Sequence, residues 1–215
     1  MQRRLSNLDR LISTLDTAMR ELSHGTNAMA GERPSPAAEH TEAELTEAER
    51  KHAGGLMRIN HTGEVCAQAL YRGQALVAKT EETRTALLEA AQEEKDHLDW
   101  CEERIDELGT HTSRLNPLFF ASSYALGALT GAIGDKVSLG FVHATEERVA
   151  SHLRAHLKAL PGEDRKSQLV LQQMLTDEER HGAEALEYGG EEFPRPIKDV
   201  MTLASQLMTR TTYWI

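Results

Sequence analysis

One arrangement of carboxylates and imidazoles occurs twice in this chain: a lone glutamate, then, further along, a Glu-x-x-His. Glu64 precedes Glu94-Lys95-Asp96-His97, and Glu146 precedes Glu178-Glu179-Arg180-His181. The lone glutamates lie 82 residues apart and both members of the pairs lie 84 apart, the register of a duplicated two-helix unit. Residues three apart share a helix face, so each Glu-x-x-His can aim a carboxylate and an imidazole at one point. Four helices that each turn a glutamate inward, two of them adding a histidine, build the dinuclear carboxylate centre of ferritin-like bundles. The chemistry expected of these residues is metal chemistry with dioxygen.

The spacing by itself carries little weight. Glu21 with His24 and Glu49 with His52 repeat it, but no glutamate precedes Glu21 and only a Gly- and Pro-bearing linker joins the two pairs, so both are set aside. Charge supports the remaining four glutamates, whose negative charges two divalent cations would balance. Oxygen donors with only two imidazoles suit iron or manganese. Cys66 and Cys101 are the only cysteines, too few for a thiolate zinc site, and are read as reduced core thiols. That usage, with no signal peptide, predicts a reducing compartment and a chain that is not secreted.

The elements that must position these groups are helices. Strand-like alternation is scarce, and apolar residues recur every three or four positions, so the fold class is all-α: a four-helix bundle with flanking amphipathic helices. Leu87, Ala91, Leu98, Cys101, Ile105 and Leu108 form a stripe whose gap Glu94 fills, with His97 beside it. Glu146 sits amid Leu139, Val142, Val149 and Leu153, and Met174, Glu178, His181, Ala185 and Tyr188 share another stripe. Glu64 has the less apolar neighbours Met57, Asn60, Ala67 and Tyr71. A carboxylate turned into a core without a partner costs several kcal/mol, about 3–5 when a charge is left uncompensated. Four in register call for a cation.

Boundaries follow from punctuation. Residues 1–45 are expected to form an amphipathic helix, over 1–24, and a linker from Gly25 to about His40; residues 46–215 form the metal-binding domain. Its helices are expected over Thr46–Lys79, with an interruption at Gly54-Gly55, then Thr80–Gly109, Leu118–Gly134, a helix from Asp135 to Pro161, one from Asp164 to Gly189, and a last one from Ile197. The Leu118–Gly134 stretch is apolar but short for a bilayer span, and is read as an interfacial helix or as the lining of a tunnel for a hydrophobic substrate, with ordinary core packing as the alternative. The C-terminal helix, ending Tyr213-Trp214-Ile215, is expected to be buried against the bundle, with a membrane interface as its alternative. A net charge of −10 with no basic stripe argues against a nucleic-acid partner.

Arg58-Ile59-Asn60-His61-Thr62-Gly63-Glu64, followed by Ala67, Tyr71 and Gly73-Gln74, resembles the signature of the demethoxyubiquinol hydroxylases, membrane-associated di-iron monooxygenases of ubiquinone biosynthesis. Glu94-Lys95-Asp96-His97, Glu146-Glu147 and Asp177-Glu178-Glu179-Arg180-His181 are similar to that family's other ligand motifs, and the resemblance runs from about residue 50 onward. It implies two iron ions held by Glu64, Glu94, His97, Glu146, Glu178 and His181. It implies, further, hydroxylation of a polyprenyl demethoxy-benzoquinol ring with dioxygen, NADH as an electron source, and a peripheral position on the cytoplasmic side of the cell membrane, alone, as a homo-oligomer or in a biosynthetic complex. His152 resembles a histidine lying near the cluster or the quinone; the tyrosine that follows it in some relatives is Leu153 here, so no role for that tyrosine transfers. Glu147 points about 100° from Glu146 on a helix and is read as solvated or outside the ligand set. His61, His143 and His156 are read as structural. The reading of another class is a ferritin-like iron-storage or detoxifying protein, with the same ligands and no organic substrate.

Overall fold

A computed structural model of the chain describes residues 31–215, together with Asp9 and Ile12. The helix expected over residues 1–24 lies outside the described residues, save those two, which are both helical. The described residues from 31 onward form six helices and no strand: α1 Glu47–Val77, α2 Glu81–Glu107, α3 Asn116–Ile133, α4 Asp135–Ala159, α5 Arg165–Glu187 and α6 Arg195–Thr212.

Short polar residues start them. Thr46 and Glu49 form a reciprocal capping box on α1, Thr80 caps α2 and Asp164 caps α5; each cap stabilises its helix by about 1 kcal/mol. Asp135, at the start of α4, accepts from the amides of Lys79 and Thr80 at 2.9 and 3.0 Å, tying the α1–α2 turn to the second half of the fold.

The helices pair as two hairpins, α1 with α2 and α4 with α5, which face each other across the bundle axis. This is the all-α, ferritin-like arrangement the duplicated spacing predicted. α3 connects the hairpins and lies along α1 at backbone contact distance, because a Cβ on Gly127 would collide with the Leu70 carbonyl. The four inward glutamates separate two apolar layers. One holds Met57, Trp100, Cys101, Ile105, Leu153, Leu171 and Met174. The other holds Leu70, Tyr71, Leu87, Ala91, Val142 and Ala185. The carboxylates are thus enclosed along the bundle as well as across it.

Several expectations are corrected. α1 is continuous through Gly54-Gly55, which are buried there because Thr110 and the Tyr213 ring occupy the space a Cβ would need. These glycines permit close approach rather than breaking the helix. Residues 31–45 carry no helix but are more than a linker. Ala37 is buried in the first apolar layer, and Glu42 pairs with the Arg104 guanidinium, which also bonds Asp164 and Ser167. Tyr188 is half exposed at the end of α5, where the helix has left the core. Only Thr212 of α6 is buried, so α6 does not pack against the bundle along its length; a cavity separates its inner face from α1 and α4. Among the described residues no helix is long and apolar enough to cross a membrane.

Candidate metal centre

The mid-helix register of Glu64 on α1, Glu94 and His97 on α2, Glu146 on α4, and Glu178 and His181 on α5 brings all six side chains together, each buried. They form two overlapping sets, Glu64, Glu94, His97 and Glu178, and Glu94, Glu146, Glu178 and His181; within each set one donor atom per residue lies within 4.8 Å of the others. Glu94 and Glu178 belong to both, the position of bridging carboxylates. Each set then has one glutamate and one histidine of its own. His97 Nδ1 lies 3.0 Å from Glu94 Oε2 and 3.0 Å from Glu178 Oε1, and His181 Nδ1 lies 3.3 Å from Glu178 Oε2 and 3.4 Å from Glu94 Oε1. Both rings therefore turn Nδ1 to the centre and Nε2 away from it.

The chemistry of this donor set fits metal ions. Glu64 Oε1 and both oxygens of Glu146 are buried without a hydrogen-bond partner, a condition too costly to leave uncompensated. Burial, reinforced by the neighbouring Glu178 and Glu94 charges, pushes the Glu64 carboxyl well above the usual range, although a hydrogen bond from His97 opposes it. Burial and then the Glu178 charge do the same to Glu146. His97 and His181 are raised: burial opposes their charged forms, but hydrogen bonds to surrounding acids outweigh it. Without a metal, protons must supply the positive charge.

The outward Nε2 atoms show two residues that sequence reading missed. His97 Nε2 is 3.0 Å from Asp177 Oδ2, and His181 Nε2 is 3.0 Å from Glu93 Oε2. Asp177 immediately precedes Glu178, and Glu93 immediately precedes Glu94, so each hairpin supplies the acid that orients the other hairpin's histidine. Burial opposes ionisation of Asp177, but the His97 hydrogen bond and the Arg33 guanidinium hold it at about 2. Glu93 is lowered to about 2, chiefly by its bond to His181. The signal was in the sequence: the duplicated motif extends one residue upstream as acid-Glu-x-x-His.

From the centre a cavity of about 870 Å³ runs between α1, α3, α4 and α6, with Glu64 in its wall. Its lining is mainly apolar, from Ile59, Leu70, Phe119, Leu126, Val149 and Met201. Asn60 and Arg148 also line it, and Asn60 Nδ2 and Arg148 Nε are buried donors without partners. Asn60 Oδ1 is already engaged by His156 Nδ1 at 2.8 Å. His152 lines the same cavity, outside the six-residue cluster, its pKa lowered by burial and then by Arg148. His61 bonds Asn116 and His143 bonds the Gly182 carbonyl, while Glu147 is exposed and paired with Lys198.

Two facing helical hairpins with a buried carboxylate–imidazole cluster that can hold metal define a ferritin-like protein. Residues 51–212 match the family model described as "Ubiquinone biosynthesis protein COQ7". The chain belongs to this family. A 3-demethoxyubiquinol 3-hydroxylase of Pseudomonas syringae pv. syringae (strain B728a) is 55% identical over 214 residues, covering 100% of this chain and 99% of that protein. One of Pseudomonas putida (strain GB-1) is 54% identical with the same coverage.

Proposed function

We propose that this chain is a 3-demethoxyubiquinol 3-hydroxylase, a monooxygenase whose substrate is a polyprenyl demethoxy-benzoquinol and whose residues Glu64, Glu94, His97, Glu146, Glu178 and His181 hold two iron ions. The observation that carries this reading is the continuity of the cavity from the Glu64 carboxylate to the apolar faces of α3 and α6. A storage protein has no use for such a compartment. Iron bound at the cluster supplies the dioxygen and redox chemistry that oxygenates the ring.

The chain's own side chains do the rest. Glu94 and Glu178 hold the two positions together, and Asp177 and Glu93 fix the histidine rings. The apolar wall excludes water and takes the ring and the first part of its tail. Asn60 Nδ2 and Arg148 Nε, which lack protein partners, donate to the ring oxygens and set which carbon faces the centre. His152 stands at the cavity wall, where it can contact the quinol. NADH is the electron source in this reading, reducing the centre directly or through the bound quinone; among the described residues there is no strand–turn–helix site for a dinucleotide.

The same face supports a peripheral position on the cell membrane, which this reading assigns to its cytoplasmic side. Leu118, Leu129 and Ile133 of α3 and Val200, Leu203 and Leu207 of α6 are each 63–72% exposed, and Trp214 is 79% exposed. A polyprenyl quinol can pass from the bilayer into the cavity without crossing water. Residues 46–215 supply the six ligands and the cavity, and residues 31–45 pack against them. Anaerobically iron-loaded protein, given a short-chain demethoxyubiquinol, NADH and labelled dioxygen, is expected to yield a ring-hydroxylated product carrying one labelled oxygen. Iron oxidation without labelled product would leave the storage reading in its place.

A further inference from the structure

Residues 31–45 precede the region matched to the family and contain no helix, yet their first part is bound to the wall of the cluster. The amides of Gly31, Glu32 and Arg33 donate to Asp99 Oδ2 at 2.5 Å and to Asp96 Oδ1 at 2.7 and 3.2 Å. Trp100 Nε1 donates to the Arg33 carbonyl at 3.1 Å, and the Arg33 guanidinium lies over the Trp100 ring, 4.8 Å from its centroid. The backbone bonds and the stacked ring together aim the guanidinium. Nε donates to Asp96 Oδ2 at 2.6 Å and Nη1 to Asp177 Oδ2 at 2.9 Å, while Nη2 lies 3.5 Å from His97 Nε2. Asp177 Oδ2 is also the oxygen 3.0 Å from His97 Nε2. One carboxylate oxygen therefore links a cation from outside the bundle to an imidazole whose other nitrogen faces the centre.

The other histidine is held differently. Glu93, which bonds His181 Nε2, takes its cation from Arg180, the neighbour of His181 on α5. The two halves of a duplicated site thus differ in one respect: in the His97 half the cation on the carboxylate oxygen that faces the ring comes from a residue the helical hairpins do not supply, Arg180 lying 4.0 Å from the other oxygen.

Resting on the metal-centre reading above, we propose that Arg33 is a positioning residue for the ion held by Glu64, Glu94, His97 and Glu178. It fixes the Asp177 carboxylate, Asp177 fixes His97 as the Nε2–H tautomer, and the Nδ1 lone pair is held toward the metal. Without Arg33, Asp177 keeps Gln173 Nε2 at 3.2 Å and Arg180 Nη2 at 4.0 Å, both on Oδ1, while the Oδ2 that faces His97 loses its cation and the His97 ring loses part of its restraint. Groups that orient a ligating histidine typically affect metal affinity by about 10–100-fold; acting one bond further out, Arg33 belongs at the lower end.

The test is anaerobic ferrous-ion binding to the full chain, read by titration and by Mössbauer spectroscopy with ⁵⁷Fe, for wild type, Arg33→Ala and Arg33→Lys. Lysine keeps the charge but lacks the planar fork that reaches Asp96 and Asp177 from two separate nitrogens and the flat face that stacks on Trp100, so it reports on positioning with the segment still docked. Both variants are expected to weaken one of two binding steps about tenfold, to alter one of two iron signals, and to leave the other step and the metal-free melting temperature close to wild type. Unchanged binding in both variants would overturn the proposal. So would equal weakening of the two steps, which would make Arg33 an anchor for the segment and nothing more. A wild-type chain that binds no ferrous ion is a different result, and it removes the metal-centre reading itself.

Discussion

Glu146→Met should make the metal-free protein more stable while removing its response to metal. Both Glu146 carboxylate oxygens lack a partner, and the residue is 1% exposed. Burial and then the Glu178 charge push its pKa well up, so without metal the group is a buried acid beside another carboxylate, with no donor to satisfy it. An unsatisfied buried polar group costs about 1–3 kcal/mol. Methionine has the same unbranched reach and a soft apolar end, so it can fill the space with little repacking. The metal-free variant should therefore gain about 1–3 kcal/mol, which in a chain of this size raises Tm by roughly 2–12 °C. The metal-bound comparison should run the other way. At ferrous ion one hundred times its Kd, wild type gains about 2.7 kcal/mol, whereas the variant has lost one of the four ligands in the set with His181 and should gain less. Scanning calorimetry of chelator-treated and anaerobically iron-loaded samples gives all four values. A metal-free variant less stable than wild type, or one that keeps the full metal-linked shift, would refute the argument that these carboxylates are tolerated only for the sake of a cation.

Three further outcomes are expected. His61 is buried, and burial pushes its pKa down to about 4, below the unfolded value of about 6.5. The unfolded chain therefore binds more protons in that window. Stability should fall as pH drops from about 6.5 to 4, by about 3 kcal/mol from this group, and denaturant melts at both pH values should show a smaller loss in His61→Asn. Gly127→Ala sets a methyl group against the Leu70 carbonyl on a helix that cannot yield locally; a loss of about 1–3 kcal/mol in urea unfolding is expected. Leu203→Glu with Leu207→Glu should reduce co-sedimentation with lipid vesicles more than tenfold at unchanged iron content, since each leucine buried in lipid contributes about 1.5–3 kcal/mol.

Periodicity and punctuation in the sequence were enough to determine the helices and the six residues that meet. A helix ties residues three apart to one face, and duplication in register repeats that constraint, so Glu94 with His97 and Glu178 with His181 could be read without coordinates. Tertiary structure decided what depends on neighbours distant in the chain. Gly54-Gly55 looked like a break because glycine disfavours helix in isolation; Thr110 and Tyr213, contributed by a loop and the C-terminal end of the chain, turn them into contact points. α6 has the pattern of a helix that packs, but hydrophobic spacing says only that a face seeks an apolar surface. It cannot say whether the bundle, a cavity or lipid provides that surface. Arg33 carries no local signal at all. Its role rests on Asp96, Trp100 and Asp177, which belong to two different helices. Local geometry is encoded along the chain, whereas the company a side chain keeps is set only when separate elements close on one another.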